Sequence, residues 1–225
     1  MNIHDLPKMI DLSCVKTDIT MNELTRMVEL AKQYQFICCF AMPCYTEWLV
    51  EQLKNEPDVM VGGTVGFPSG ADLTSTKAFT AQKLFEMGCD EIDMVINVSA
   101  LKNAEYQRIS DDINAVRERI GDKPLKAILE VTTLTDYEIR KGSELAVANG
   151  AAFVKTGTGW CQKPTTVEHI RLIRDTIGTD AKIKAAGGVR TLAQIEEMVD
   201  AGCSRFGIGL ASTQKILKEA RIWQD

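Results

Sequence analysis

The sequence of 225 residues predicts an α/β fold, a single-domain (β/α)8 (TIM) barrel over residues 1–225. Short apolar runs of strand length alternate with longer amphipathic segments of helix length along the whole chain. Eight such pairs can be counted, and no linker rich in Pro, Gly or Ser interrupts them. A doubly wound open sheet shares this alternation. However, no G-x-G-x-x-G sequence opens the first pair, so the barrel is the better prediction.

The predicted elements follow one another in a regular order. Strands are expected at residues 9–13, 36–42, 59–65, 90–97, 125–131, 152–156, 181–186 and 204–207. The helices that follow them are expected at residues 20–34, 43–54, 74–87, 104–120, 135–149, 166–177, 191–201 and 212–220. Two of these helices begin with a capping box, Thr20 with Glu23 and Thr135 with Glu138. The helices before strands four, six and eight end in a glycine: Gly88, Gly150 and Gly202.

Composition excludes several classes of function. A net charge of -5 argues against a nucleic-acid or anionic-membrane surface. The N-terminus carries no signal-like segment and no run could span a bilayer, so we expect a cytoplasmic protein. The seven cysteines include no C-x-x-C pair, and the two histidines, His4 and His169, lie far apart. We therefore expect no metal and no cofactor, and chemistry that depends on lysines and carboxylates.

Polar residues collect at the predicted strand ends, where the active sites of these barrels are built. They are Asp11, Ser13, Asp93, Asn97, Lys126, Glu130, Lys155, Thr158, Lys182 and Lys184. Because side chains alternate along a strand, Glu91, Asp93 and Asn97 are expected on one face of their strand. Lys126 and Glu130 are expected to share a face of the next strand, and Lys182 and Lys184 a face of the seventh. Each residue alone is explained equally well by a structural ion pair. Together they indicate a catalytic site, although the roles of Lys126, Glu130 and Lys182 stay open between support and direct participation.

Lys155 is the candidate nucleophile, because it ends a buried apolar strand and is followed by Gly157 and Gly159. The alternative is a lysine that extends its ammonium out of the rim. A lysine that forms a Schiff base near neutral pH needs a pKa lowered by about 3 units, which burial and a second cation can supply. Lys184, on the adjacent strand, is that cation. Asp93 can move protons.

Glycine-rich turns follow the last two strands, where such barrels commonly bind phosphate through backbone N–H groups. The expected substrate-binding residues are Thr158, Gly187, Gly188, Gly207, Gly209 and Asp11. With the two lysines, they point to a phosphorylated aldehyde or sugar as the small-molecule substrate.

Over nearly its whole length the chain resembles the deoxyribose-phosphate aldolase family of class I aldolases. The matching segments include Val65-Gly66-Phe67-Pro68, the block from Asp90 to Asn97, the block from Ala152 to Gly159, and the block from Lys184 to Thr191. The resemblance implies cleavage of 2-deoxy-D-ribose 5-phosphate to acetaldehyde and glyceraldehyde 3-phosphate. It also implies that Lys155 forms the Schiff base, that Lys184 tunes it, and that Asp93 acts as acid and base through an ordered water. A homodimer or homotetramer is implied as well.

The chain departs from the family pattern at several positions. Gly157 stands where the family commonly has serine, and Gly209 and Leu210 take the places of serines that assist the phosphate. Ala41-Met42-Pro43 replaces a Cys/Val-Asn-Pro segment, and the C-terminal tyrosine of some longer members is absent. Two alternatives therefore stay open. One is an imine-forming aldolase for another sugar phosphate or an unphosphorylated substrate, and the other is a non-catalytic sugar-phosphate-binding barrel.

Overall fold

A closed barrel of eight parallel strands forms the centre of the computed structural model, which describes residues 2–224. The strands are β1 Ile10–Cys14, β2 Cys38–Ala41, β3 Met60–Val65, β4 Glu91–Val95, β5 Leu125–Ile128, β6 Phe153–Lys155, β7 Lys182–Ala186 and β8 Arg205–Gly209. Each strand pairs with the next, and β8 pairs with β1. The predicted (β/α)8 class is confirmed.

Helices cover the outside of the barrel. They are α1 Met21–Tyr34, α2 Pro43–Leu53, α3 Thr74–Glu86, α4 Val98–Lys102, α5 Tyr106–Ile120, α6 Asp136–Ala148, α7 Val167–Ile177, α8 Leu192–Asp200 and α9 Leu210–Glu219. Both predicted capping boxes are present, at the starts of α1 and α6. The three glycines after α3, α6 and α8 have φ of 98°, 82° and 99°, the conformation that ends a helix most easily at glycine. Within residues 2–224, no helix has both the length and the apolar character needed to cross a membrane.

The two faces of the strands differ in chemistry. Outward residues such as Ile92, Val154 and Ile183 are buried in one apolar cluster between the barrel and its helices. Their neighbours in sequence point inward, and several of these are charged and equally buried. The apolar layer holds the strands in place around the charged residues inside the barrel.

The fifth strand is shorter than predicted, because it ends at Ile128. Glu130 follows in the left-handed region, with φ of 58° and ψ of 54°, and the chain turns into a 3-10 helix at Val131–Thr133. Strand alternation therefore stops before Glu130, and the prediction that Glu130 shares a strand face with Lys126 is wrong.

The prediction of one helix over residues 104–120 is also wrong in part. The short helix α4 precedes it, and Ala104, with φ of 55°, separates α4 from α5. Asn97 caps α4, because its Oδ1 accepts a hydrogen bond from the backbone N–H of Ala100 at 2.9 Å. Asn97 thus belongs to a helix start and not to the strand face of Asp93.

Candidate active site

Asp93 is surrounded by three lysines inside the barrel. Its Oδ2 lies 2.7 Å from the Nζ of Lys155 and 2.6 Å from the Nζ of Lys184, while its Oδ1 lies 3.0 Å from the Nζ of Lys126. Strand register explains the cluster, since Lys155 is the partner of Lys184 and Asp93 is the partner of Lys126. Asp93, Lys126 and Lys184 are fully buried, and Lys155 is 7% exposed. The structure thus brings the three predicted catalytic residues into direct contact and adds Lys126.

A second set of charged residues continues this cluster. Arg205 donates from Nε to Oδ1 of Asp11 at 2.7 Å and from Nη2 to Oε2 of Glu91 at 2.7 Å. Lys184 contacts the other oxygen of Asp11, and Lys126 contacts Glu91. Asp11, expected to touch substrate, is fully buried in this network and does not line the cavity described below. Arg205 was missed by the sequence analysis, although a charged residue within a predicted strand was a usable signal.

The network contains three carboxylates and four cations. Burial would raise the pKa of Asp93, but attraction to Lys126, Lys155 and Lys184 outweighs burial and holds this pKa well below its usual range. The pKa of Asp11 is lowered in the same way, since its neighbouring cations outweigh its burial. The third carboxyl group, Glu91, is paired with Arg205 and Lys126. Three carboxylates need only three cations to balance them. One of the four cations is therefore in excess.

Lys155 is the cation whose charged form the network stabilises least. Burial is the main cause that lowers its pKa, to about 8, and repulsion by Lys184 and Lys126 adds to it, while Asp93 opposes the shift. For Lys126, by contrast, attraction to its carboxylate neighbours overcomes burial and raises the pKa. A lysine with a pKa near 8 has a usable neutral fraction at physiological pH, and only the neutral amine can attack a carbonyl.

A cavity of about 510 Å³ lies above Lys155 at the carboxyl ends of the strands. Seven of the residues predicted for the site line it: Ser13, Lys155, Thr158, Gly187, Gly188, Gly207 and Gly209. Three cationic side chains also line it, Lys16, Arg26 and Arg190. They were missed because Arg26 lies on a helix and the other two lie in loops, so that only the fold brings them together. One carboxylate, Glu23, lines the same cavity, so the cations are in excess and make this wall suitable for an anion.

The glycines on this wall allow close backbone approach. Gly187 and Gly188 have φ of 91° and 84°, and a Cβ on Gly188 would lie 2.4 Å from the Cβ of Pro164. Gly209 precedes α9 and offers no side chain to cap it. The first N–H groups of α9 are therefore available to an anion, as is common at helix N-termini.

Glu130 fixes the loop that follows Lys155. Its Oε2 accepts hydrogen bonds from the backbone N–H of Thr158 at 3.1 Å and from the Thr158 hydroxyl. The backbone N–H of Trp160 in turn donates to the Thr158 hydroxyl oxygen at 3.1 Å. A Cβ on Gly157 would lie 2.7 Å from Oε1 of Glu130, so the glycine makes room for this carboxylate. Lys182 is exposed, outside the site.

One group of residues has the spacing of metal ligands. Ligand atoms of Asp11, Cys38 and Glu91 lie within 4.8 Å of one another. However, Arg205 contacts both carboxylates, and Lys126 contacts them as well. These oxygens already face cations, so the group fits the ion network better than it fits a metal ion.

A buried lysine with a lowered pKa at the open end of a (β/α)8 barrel defines the class: an enzyme that acts on carbonyl compounds. The chain belongs to the DeoC/LacD family of aldolases, whose sequence model matches residues 7–219. It is 43% identical over 213 residues to a deoxyribose-phosphate aldolase from Streptococcus equi subsp. zooepidemicus, covering 95% of each chain. It is 41% identical over 203 residues to a deoxyribose-phosphate aldolase from Staphylococcus carnosus, covering 90% of this chain and 92% of the relative.

A solved structure is also similar. The tetrameric deoxyribose phosphate aldolase from Aeropyrum pernix matches with a TM-score of 0.83 and 26% identity. The match covers 98% of this chain and 92% of that one.

Proposed function

We propose that this protein is a class I aldolase that reversibly cleaves 2-deoxy-D-ribose 5-phosphate to acetaldehyde and D-glyceraldehyde 3-phosphate. The observation that carries the proposal is Lys155. Its Nζ is buried against Asp93 and has a pKa near 8, and the side chain lines the cavity. Membership in the DeoC/LacD family and the names of the relatives support the reaction and the substrate.

In the proposed first step, the neutral amine of Lys155 attacks the C1 aldehyde of the open-chain sugar. The carbinolamine then takes up a proton from solvent and loses water, so that the nitrogen becomes a protonated imine. This imine carries the same charge at the same place as the original ammonium, so the ionised Asp93 stabilises both. Lys184 contacts the same Asp93 oxygen as Lys155 does. Its positive charge repels the ammonium of Lys155 and so favours the neutral amine of Lys155 in the free enzyme.

In the proposed second step, the C3 hydroxyl loses its proton and the C2–C3 bond breaks. Its electron pair moves to the imine, which becomes an enamine, and glyceraldehyde 3-phosphate leaves. Protonation of the enamine at C2 and hydrolysis then release acetaldehyde and restore the amine of Lys155. Because Asp93 is ionised in the resting site, we assign it the role of proton acceptor and relay.

The substrate phosphate is proposed to bind at the other end of the cavity. Backbone N–H groups near Gly188 and at the start of α9 would hold it, and Lys16 and Arg190 would supply charge. These cations compensate for the serines replaced by Gly209 and Leu210, and they favour a phosphorylated substrate over an unphosphorylated one. If kcat/KM hardly falls when the phosphorylated sugar is replaced by its unphosphorylated counterpart, the alternative of an unphosphorylated substrate is supported instead.

The test of this function is capture of the imine. Acetaldehyde with borohydride is expected to leave one two-carbon adduct, which peptide mass spectrometry should place on Lys155. Lys155→Arg keeps the positive charge but cannot form the adduct, and it should lose the cleavage of deoxyribose 5-phosphate. Lys182→Arg, which alters an exposed lysine outside the site, is the matched control. Turnover that survives Lys155→Arg would contradict the mechanism.

We further propose a cytoplasmic homodimer or homotetramer. The seven cysteines are all unpaired, which suits a reducing compartment. The Aeropyrum pernix relative is tetrameric. Leu73, just before α3, is 74% exposed, and Phe79, within α3, is 61% exposed. Such exposed apolar residues are suited to contact between subunits.

A further inference from the structure

Glu130 holds the hydroxyl of Thr158 in one orientation at the edge of the cavity. Thr158 lines the cavity and Glu130 does not, and the two residues are 6% and 8% exposed. Oε2 of Glu130 accepts the backbone N–H of Thr158 at 3.1 Å and also the Thr158 hydroxyl. Because a carboxylate only accepts hydrogen bonds, the single hydroxyl hydrogen of Thr158 is directed to Glu130.

This orientation decides what Thr158 can offer to a bound molecule. A hydroxyl group has one hydrogen and two lone pairs. The hydrogen goes to Glu130, and the backbone N–H of Trp160 donates to one lone pair at 3.1 Å. One lone pair of Oγ1 is left, so Thr158 can accept a hydrogen bond from a molecule in the cavity but cannot donate one. The matching group on the open-chain sugar is a hydroxyl.

The backbone around Glu130 is anchored to the strand of the nucleophile. Glu130 has φ of 58° and ψ of 54°, which is uncommon for a residue other than glycine. The N–H of Leu129 donates to the backbone oxygen of Lys155 at 3.0 Å, and the N–H of Val131 donates to that of Thr156 at 2.8 Å. Such conformations persist where surrounding contacts fix them, and they are common at functional sites. The end of β6 therefore determines where the carboxylate lies.

Gly157 leaves the space that this carboxylate occupies. A Cβ on Gly157 would lie 2.7 Å from Oε1 of Glu130, closer than real Cβ atoms approach another atom. A side chain at this position would displace the carboxylate, which is the end of a flexible side chain. The acceptor for the Thr158 hydroxyl would move with it.

We propose that Glu130 is a positioning residue that acts through Thr158, keeping its hydroxyl as a hydrogen-bond acceptor for a hydroxyl of the open-chain sugar. Without Glu130 the Thr158 hydroxyl is free to turn, and its hydrogen competes with that of the sugar for the space between the two oxygens. The inference rests on the proposed aldolase reaction and deepens it, since it assigns a role in substrate orientation to a carboxylate outside the cavity.

The test compares two reactions of the full-length protein, of which only one uses a substrate hydroxyl. The first is cleavage of 2-deoxyribose 5-phosphate, measured as kcat/KM. The second is trapping of acetaldehyde on Lys155 with borohydride, because acetaldehyde carries no hydroxyl. Glu130→Met should lower kcat/KM for cleavage by about tenfold, as expected for one lost hydrogen bond, and leave the adduct yield unchanged. Gly157→Ala should lower kcat/KM for the same reason.

Two further variants connect the effect to Thr158. Glu130→Gln should recover most of the loss, because the backbone N–H of Thr158 favours the amide oxygen at the place of Oε2, where it also accepts the hydroxyl. Thr158→Val should lower kcat/KM as well, and adding Glu130→Met to it should cost little more, since both changes remove the same interaction. Glu144→Met, at a 55% exposed side chain on α6, is the matched control and should leave both reactions in place.

An adduct yield that falls together with cleavage in Glu130→Met would show general disruption and overturn the inference. Additive losses in the double variant, or an undiminished kcat/KM in Glu130→Met, would overturn it as well. If Glu130→Met fails to fold, Gly157→Ala, which keeps the carboxylate, decides by the same comparison of the two reactions. Failure of the wild-type protein to form any acetaldehyde adduct would instead overturn the proposed function.

Discussion

At the scale of single residues, the site depends on one excess positive charge. Lys126, Lys184 and Arg205 suffice to balance the charges of the three buried carboxylates. Lys155 is a fourth cation, and no fourth carboxylate of the network balances it. The low-dielectric interior makes this imbalance costly, so the ammonium of Lys155 gives up its proton more easily than a free lysine does. Reactivity at Lys155 is thus a property of its neighbours.

Lys184→Met tests this dependence through the pH profile. Repulsion by Lys184 is one of the causes that lower the pKa of Lys155, so its removal should raise that pKa. Because the neutral amine is the reactive form, kcat/KM rises with pH through the pKa of Lys155, and in the variant this rise should move to higher pH. Lys182→Met, an exposed change on the same strand, should leave the profile in place. A profile that does not move in Lys184→Met would argue that burial and Lys126, without Lys184, lower the pKa of Lys155.

At the scale of elements, α3 and α5 are joined by a buried ion pair. The Nζ of Lys77 lies 2.5 Å from Oδ2 of Asp112, and both side chains are buried. The hydroxyl of Thr74 donates to the other oxygen of Asp112 at 2.5 Å. Lys77 also lies under the loop after β3, because a Cβ on Gly66 would be 3.2 Å from its Cε. The pair therefore links two helices to a loop at the mouth of the barrel.

Lys77→Met should destabilise the protein strongly, since it leaves the carboxylate of Asp112 buried without its cation. The expected loss in the free energy of unfolding is about 3–5 kcal/mol, measured by urea denaturation. Adding Asp112→Leu should recover much of it, because the uncompensated charge is then removed. Lys83→Met breaks an exposed pair with Glu86, 48% and 46% exposed, and should cost about 1 kcal/mol or less. A double variant as unstable as the single one would point to lost packing.

At the scale of the whole molecule, the active site opposes folding stability. The pKa of Lys155 is about 8 in the folded chain and near 10.5 in an unfolded one. Between these values the unfolded chain binds more protons, so the stability of the wild-type protein rises with pH there. Below pH 8 the charged lysine imposes its full cost on the fold.

Lys155→Met should therefore stabilise the folded protein at pH 7. The difference in pKa corresponds to about 3 kcal/mol in the free energy of unfolding, as an order of magnitude. This advantage should shrink as the pH rises from 8 toward 10.5, where the wild-type lysine becomes neutral in both states. Urea denaturation at several pH values measures it. A stability gap that stays constant with pH would indicate that packing, and not ionisation, separates the two proteins.

The sequence was sufficient for the barrel and for the main cluster inside it. Buried parallel strands leave apolar runs, and alternation along a strand places Asp93, Lys155 and Lys184 toward one interior. It was insufficient where a position depends on contacts distant in sequence. The turn at Glu130 depends on its bonds to Thr158, and the burial of Asp11 depends on an arginine 194 residues away. Neither interaction leaves a periodic pattern.

Trp160 connects loops at the mouth of the barrel that are far apart in sequence. Its indole Nε1–H donates to the backbone oxygen of Val15 at 2.9 Å, and its ring meets that of Phe67 edge-on at 6.1 Å. It also lines the cavity and is 43% exposed. The loops after β1, β3 and β6 are thus joined through one fluorescent side chain. The protein consequently contains an intrinsic optical probe, whose emission we expect to change when a molecule enters or leaves the cavity.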